Sequence, residues 1–177
     1  MDNVHFSRLS SRAWSLPVLA HLGTAGFRGC RVSPTAHAVG AGRNIVGQTF
    51  GHLVDVGMLV RAQGHGHPLR PEYQLTAQGK ATAQWARAFL DRVSDEEWNT
   101  ARRAWTLPVL RLVDTPRSFS HLRSDLRPVT DRGLSLCLGR LVDAELIARR
   151  TLDTSRGYLA VGRGAELADQ LRETFSL

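Results

Sequence analysis

Lysine is nearly missing from this chain: of 23 basic residues in 177 positions, 22 are arginine. Basic contacts therefore come almost wholly from planar guanidinium forks suited to phosphate, although codon bias toward arginine accounts for the ratio equally well. Cysteine is scarce too, with only Cys30 and Cys137. With no apolar leader and no long hydrophobic run, this predicts a soluble, cytoplasmic protein with free thiols and no membrane contact. Low-complexity tracts are absent. So are a nucleophile elbow, a phosphate loop, a zinc signature and a dinucleotide fingerprint, which leaves an enzyme unsupported and implies neither cofactor nor metal.

What is present is repetition. Arg12-Ala13-Trp14-Ser15-Leu16-Pro17-Val18-Leu19 returns as Arg103-Ala104-Trp105-Thr106-Leu107-Pro108-Val109-Leu110. Downstream, Leu53-Val54-Asp55 with Leu59 and Arg61 recurs as Leu141-Val142-Asp143 with Ile147 and Arg149, and Tyr73 with Gly79 recurs as Tyr158 with Gly164. The offsets fall from 91 to 88 to 85, as expected when loops shorten while packed elements keep their spacing. The expectation is two similar domains, residues 1–93 and 94–177, packed as an intramolecular pseudo-dimer because units this small have marginal cores. Charge divides unevenly between them, since residues 1–93 hold ten basic and four acidic side chains against thirteen and twelve in residues 94–177. Attraction to a polyanion should therefore reside mostly in the first copy.

Each copy reads as three helices, a two-stranded hairpin and a closing helix. Trp14, Leu16, Val18, Leu19 and Leu22 form an apolar stripe. Pro17 fits either a first turn capped by Ser15 or a kink in a longer helix; the capping-box pattern Ser94-Asp95-Glu96-Glu97 in the second copy favours the kink or two abutting helices. Ser33-Pro34 reads as an N-cap with proline at the first helical position, and in the second copy Ser118 opens a short helix while Thr130 caps the next. Val46, Thr49, Phe50 and Leu53 superpose on Leu134, Cys137, Leu138 and Leu141, one buried face at i, i+3, i+4 and i+7 in both copies. Strands then run from Met58 to Ala62 and from Leu146 to Arg150, returning through Tyr73 and Tyr158, and Thr76 caps the helix that holds Trp85 and Phe89. This order is that of a winged helix-turn-helix, so the expected fold is mainly α with small β-hairpin wings (α+β), in tandem.

The segments Trp14 to Leu22, Leu53 to Arg61 and Pro71-Glu72-Tyr73-Gln74-Leu75-Thr76-Ala77-Gln78-Gly79 resemble the HxlR-type winged-helix regulators, relatives of the MarR group. In the second copy the likeness runs through Phe119-Ser120-His121-Leu122, Asp131-Arg132-Gly133-Leu134-Ser135 with Leu138, and Leu141 to Arg149. The resemblance implies a DNA-binding transcriptional regulator, in a family whose members usually pair as homodimers and some of which sense redox state or small molecules. This chain departs from the pattern: the pair is fused, the usual cysteine near the N-terminus has no counterpart, the second helix of the first copy matches poorly, and Ala160-Val161 stands where the first copy has Leu75-Thr76.

In such a fold the third helix enters the major groove. The first copy offers Arg43, Asn44, Gln48 and His52 there, able to read guanine and adenine edges. The second offers Asp131, Arg132, Leu136 and Arg140, with Ser135 replacing Gly47; Asp131 repels phosphate and Leu136 gives only apolar contact. Polar residues on such a face also serve simply to solvate a helix. The wings add His65, His67 and Arg70 in the first copy and Arg149, Arg150 and Arg156 in the second. His65 and His67 alone lack the further ligands a metal needs. Cys137 reads as core, and Cys30 as a thiol between helices with room to be exposed, a sensor only if its pKa were lowered. Trp14, Trp85, Phe89, Trp98 and Trp105 read as core or inter-domain packing, or as the lining of a cleft for a flat aromatic or apolar effector. The sequence thus predicts a sequence-specific, ligand-responsive regulator of double-stranded DNA acting as a monomeric pseudo-dimer. The second reading is a small-molecule sequestration or resistance protein on a degenerate tandem winged-helix scaffold.

Overall fold

The computed structural model describes residues 1–24, 30–62, 71–152 and 155–173. Among them the chain is mainly helical, with ten helices and two small antiparallel sheets. It divides into two compact units, Arg12–Ser94 and a discontinuous one made of Met1–Ser11 with Asp95–Leu177. The second boundary lies one residue from the expected 93/94 division, but the N-terminal eleven residues belong with the second copy. The cause is local: helix α1 (Asn3–Leu9) packs on the helix carrying Arg111, whose guanidinium lies 5.3 Å over the Phe6 ring and donates to the Met1 carbonyl at 3.1 Å. Phe6 and Leu9 are fully buried.

In the unit Arg12–Ser94, α2 (Ser15–Thr24) starts afresh after a turn, with the Ser15 amide donating to Arg12 at 3.1 Å. Pro17 therefore occupies the first turn, where its missing N–H costs nothing, and no kinked helix runs through Trp14. Ser15 itself is the first helical residue, buried within the helix rather than flanking it as a cap. Helix α3 (Val32–Ala38) begins ahead of the expected Ser33 cap; the capping residue is Arg31, with no side-chain bond. Its start is fixed from outside. Cys30 and Tyr73 exchange both backbone hydrogen bonds, at 2.8 and 2.9 Å, so the chain is extended up to Arg31 and turns helical immediately after. Helix α4 (Arg43–Asp55) buries Val46, Thr49, Phe50 and Leu53 as their spacing predicts. Strands β1 (Leu59–Ala62) and β2 (Glu72–Leu75) pair antiparallel with Leu59 opposite Leu75, and α5 (Ala77–Leu90) returns to pack on α2. Thr76 caps α5, accepting from the Gly79 amide at 2.9 Å.

In the other unit α7 (Thr106–Leu112), α8 (Phe119–Asp125), α9 (Asp131–Asp143) and α10 (Arg163–Glu173) repeat this order, preceded by α6 (Asp95–Ala101). Residues 102–105 separate α6 from α7, the last of them Trp105 in a left-handed conformation at φ 71°. Ser118 and Thr130 cap α8 and α9, accepting from His121 at 3.3 Å and Gly133 at 3.1 Å. The sheet gains a strand: β3 (Arg117–Ser118) joins β5 (Ser155–Ala160), which pairs with β4 (Ile147–Leu152). In the first unit the isolated Cys30–Tyr73 bridge stands in its place.

Met58 and Leu146, expected to open their strands, instead end the turns that precede them. Each carbonyl accepts an amide from the far side of the hairpin, Thr76 to Met58 and Val161 to Leu146, both at 3.1 Å. The backbone of the closing helix is drawn so near that a β-carbon on Gly79 would stand 2.0 Å from the Met58 oxygen, and one on Gly164 1.8 Å from the Leu146 oxygen. That close approach accounts for the repeated glycine. One residue before each of these carbonyls the chain passes through the left-handed region, at Gly57 (φ 74°) and at Glu145 (φ 55°).

Candidate nucleic-acid interface

With one face of α4 buried, the 3.6-residue period turns Arg43, Asn44 and Gln48 to solvent, and all three are exposed. His52, one turn further, is half-buried against the body of its unit. On α9 the same geometry exposes Asp131, Arg132, Ser135 and Leu136, with Arg140 half-buried. Asp131 is not a bare negative charge, because the Arg123 guanidinium of α8 is ion-paired with it. Exposed pairs of this kind contribute little to stability.

Arg149, Arg150 and Arg156 are exposed on the hairpin of the second copy. Arg149 lies opposite Tyr158, and Arg156 opposite Thr151, so Arg149 and Arg156 share a face while Arg150, opposite Gly157, lies on the other. A residue that sequence reasoning passed over joins them: Arg117 of β3 is also opposite Tyr158, giving the row Arg117, Tyr158, Arg149 across the three strands. Its Nη1 stands 3.8 Å from Asp125. Only the pairing of a two-residue strand reveals this, and no pattern so short is legible beforehand. His65, His67 and Arg70 lie outside the described residues.

Both units pair arginines with their own carboxylates. In the second-copy unit, arginines are spent on internal carboxylates: Arg163 on Glu97 and Glu166, Arg172 on Asp114 and Asp169. Those partners raise the pKa of both guanidinium groups, chiefly through hydrogen bonds. In the other unit the Arg31 guanidinium donates from Nε to Glu72 at 2.9 Å, and Arg87 stands 3.7 Å from Asp91. For Arg43 on α4, and for Arg132 and Arg140 on α9, no ion pair is formed among the described residues.

Cys30 is half-buried, and desolvation followed by the charge of Glu72 raises its pKa. The thiol is therefore held protonated, contrary to what a sensor needs. Burial pushes the Cys137 thiol up to about 11, opposed by a hydrogen bond with Thr106 and by the charge of Arg140. Trp85 and Phe89 stack at 5.4 Å with Phe89 buried in its unit, while Trp14, Trp98 and Trp105 are half-buried. Among the described residues no cluster of three or more His, Cys, Asp or Glu is placed to hold a metal ion, and no helix is long and apolar enough to cross a membrane.

Comparison with protein-family models and with curated proteins finds no match to this chain.

Proposed function

We propose that the chain is a sequence-specific DNA-binding transcriptional regulator built from two fused winged helix-turn-helix units. The observation that carries the reading is the twofold recurrence of one arrangement: a seven-residue helix, a short turn, and a thirteen-residue helix buried on one side. An antiparallel hairpin and a closing helix follow in each case. A helix of that length, with Arg, Asn and Gln on its free side, suits the width and the donor–acceptor pattern of the major groove. Arginines of the second hairpin supply phosphate contacts. The first copy, with its excess of ten basic over four acidic residues, supplies most of the attraction.

The test is a titration of the protein onto its own promoter-proximal DNA and onto scrambled DNA, at low and near-physiological salt. Discrimination of roughly a thousandfold or more that survives salt supports the reading. Weak binding that vanishes equally from both DNAs as salt rises overturns it.

A further inference from the structure

Four large aliphatic side chains are exposed among the described residues: Val4, Ile45, Val60 and Leu136. Two of the four lie on the third helices of the two units, Ile45 (46% exposed) on α4 and Leu136 (51% exposed) on α9. A solvated helix face gains nothing from a free branched aliphatic, and each of these stands among polar neighbours. Arg132 and Arg140 lie four residues to either side of Leu136, on the same stripe of α9, while Gln48 follows Ile45 by three residues on its stripe of α4.

On the reading of α4 and α9 as major-groove helices, we infer that Leu136 and Ile45 each read the C5-methyl group of a thymine. That methyl is the one apolar mark among base edges in the major groove, and a side chain without donors or acceptors can recognise nothing else there. Charge complementarity selects DNA over an apolar protein surface as the occupant. Arg132 and Arg140 bracket Leu136, so an apolar protein surface seated on it would have to strip both guanidiniums of water, whereas a duplex offers them phosphates beside the groove. The two readers are not equivalent. Ile45 aligns with Gly133, and Leu136 with Gln48, so the apolar contact is displaced between the copies by three residues, about 4.5 Å along the helix. The site would carry its methyl-dependent thymines at unequal places in its two halves.

The experiment starts from the full chain and a random pool of duplexes, from which bound sequences are recovered. Each thymine of the recovered site is then replaced singly by deoxyuridine, which removes the methyl and nothing else. One thymine in each half should show a loss of about fourfold, the worth of one buried methyl. Leu136→Ala should abolish that sensitivity at one position and Ile45→Ala at the other, each leaving its partner's thymine intact. Both side chains are exposed, and unfolding curves will show whether either variant is altered in stability. Specific binding indifferent to every replacement, or sensitive to the same degree in both variants, overturns the inference while leaving the proposed function standing. Recovery of no preferred sequence overturns both.

Discussion

The α-carbon of Gly164 sits against the Leu146 carbonyl so closely that an added β-carbon would stand 1.8 Å from its oxygen. Gly79 stands in the same relation to Met58 at 2.0 Å. Neither obstruction is the end of a flexible side chain, so neither can yield cheaply. Gly79→Ala and Gly164→Ala should each cost about 3 kcal/mol, at the upper end for overpacking, read as a lowered denaturation midpoint. Unchanged midpoints would show that the helix-to-hairpin junction can shift freely.

One residue before those carbonyls, the copies solve a single backbone problem with different residues. Gly57 takes φ 74° without a β-carbon, whereas Glu145 takes φ 55° with one. Glu145→Gly should therefore stabilise its unit by about 1 kcal/mol, and Gly57→Glu should destabilise the other by a similar amount. Thermal unfolding of the two variants measures both, and a destabilised Glu145→Gly would refute the assignment.

The Cys137 thiol, raised to about 11 by burial, makes stability depend on alkaline pH. The unfolded chain loses its thiol proton near the ordinary value of about 8.5, well before the folded one does. Stability from this group is thus complete below that pH and declines as pH climbs toward 11. The loss should be roughly 3 kcal/mol, and Cys137→Thr, which installs the residue found at the matching Thr49, should flatten that limb. Equal alkaline slopes in the two proteins would assign the effect elsewhere.

If the third helices read bases, the copies should contribute unequally. Arg43→Ala with Gln48→Ala removes groups able to make bidentate base contacts, at roughly 1–3 kcal/mol each. Asp131→Ala with Leu136→Ala removes an ion-paired carboxylate and a single apolar contact, and should cost less than about tenfold in affinity. Equal losses, measured by equilibrium titration on the preferred sequence, would sink the asymmetry.

Arg149 and Arg156 carry exposed charges on one face of the second hairpin. If they meet phosphates, Arg149→Gln with Arg156→Gln should weaken binding uniformly across sequences and lower the slope of log affinity against log salt by about 2. A changed sequence preference with an unchanged slope would instead place them at base edges.

Long periodic elements were legible in the sequence, and short or non-local ones were not. Val46, Thr49, Phe50 and Leu53 define α4 by spacing alone, and the alignment with Leu134, Cys137, Leu138 and Leu141 doubles the signal. Thr76, Ser118 and Thr130 are local caps and announce themselves. The start of α3 was misplaced because it depends on a backbone bridge between Cys30 and Tyr73, which no local pattern encodes. The row formed by Arg117, Tyr158 and Arg149 was invisible for the same reason. Helix α1 was assigned by sequence proximity to the first copy, while Phe6, Leu9 and Arg111 place it with the second.

That misassigned helix has a consequence for the order in which the protein is made. Arg111 follows Met1, whose carbonyl it holds, by 110 positions. During synthesis the opening segment must wait roughly 5–20 s for its dock to emerge, while Arg12–Ser94 is already complete behind it. Helix α1 thus settles only after the unit that follows it in the chain has been made, because its dock lies beyond that unit.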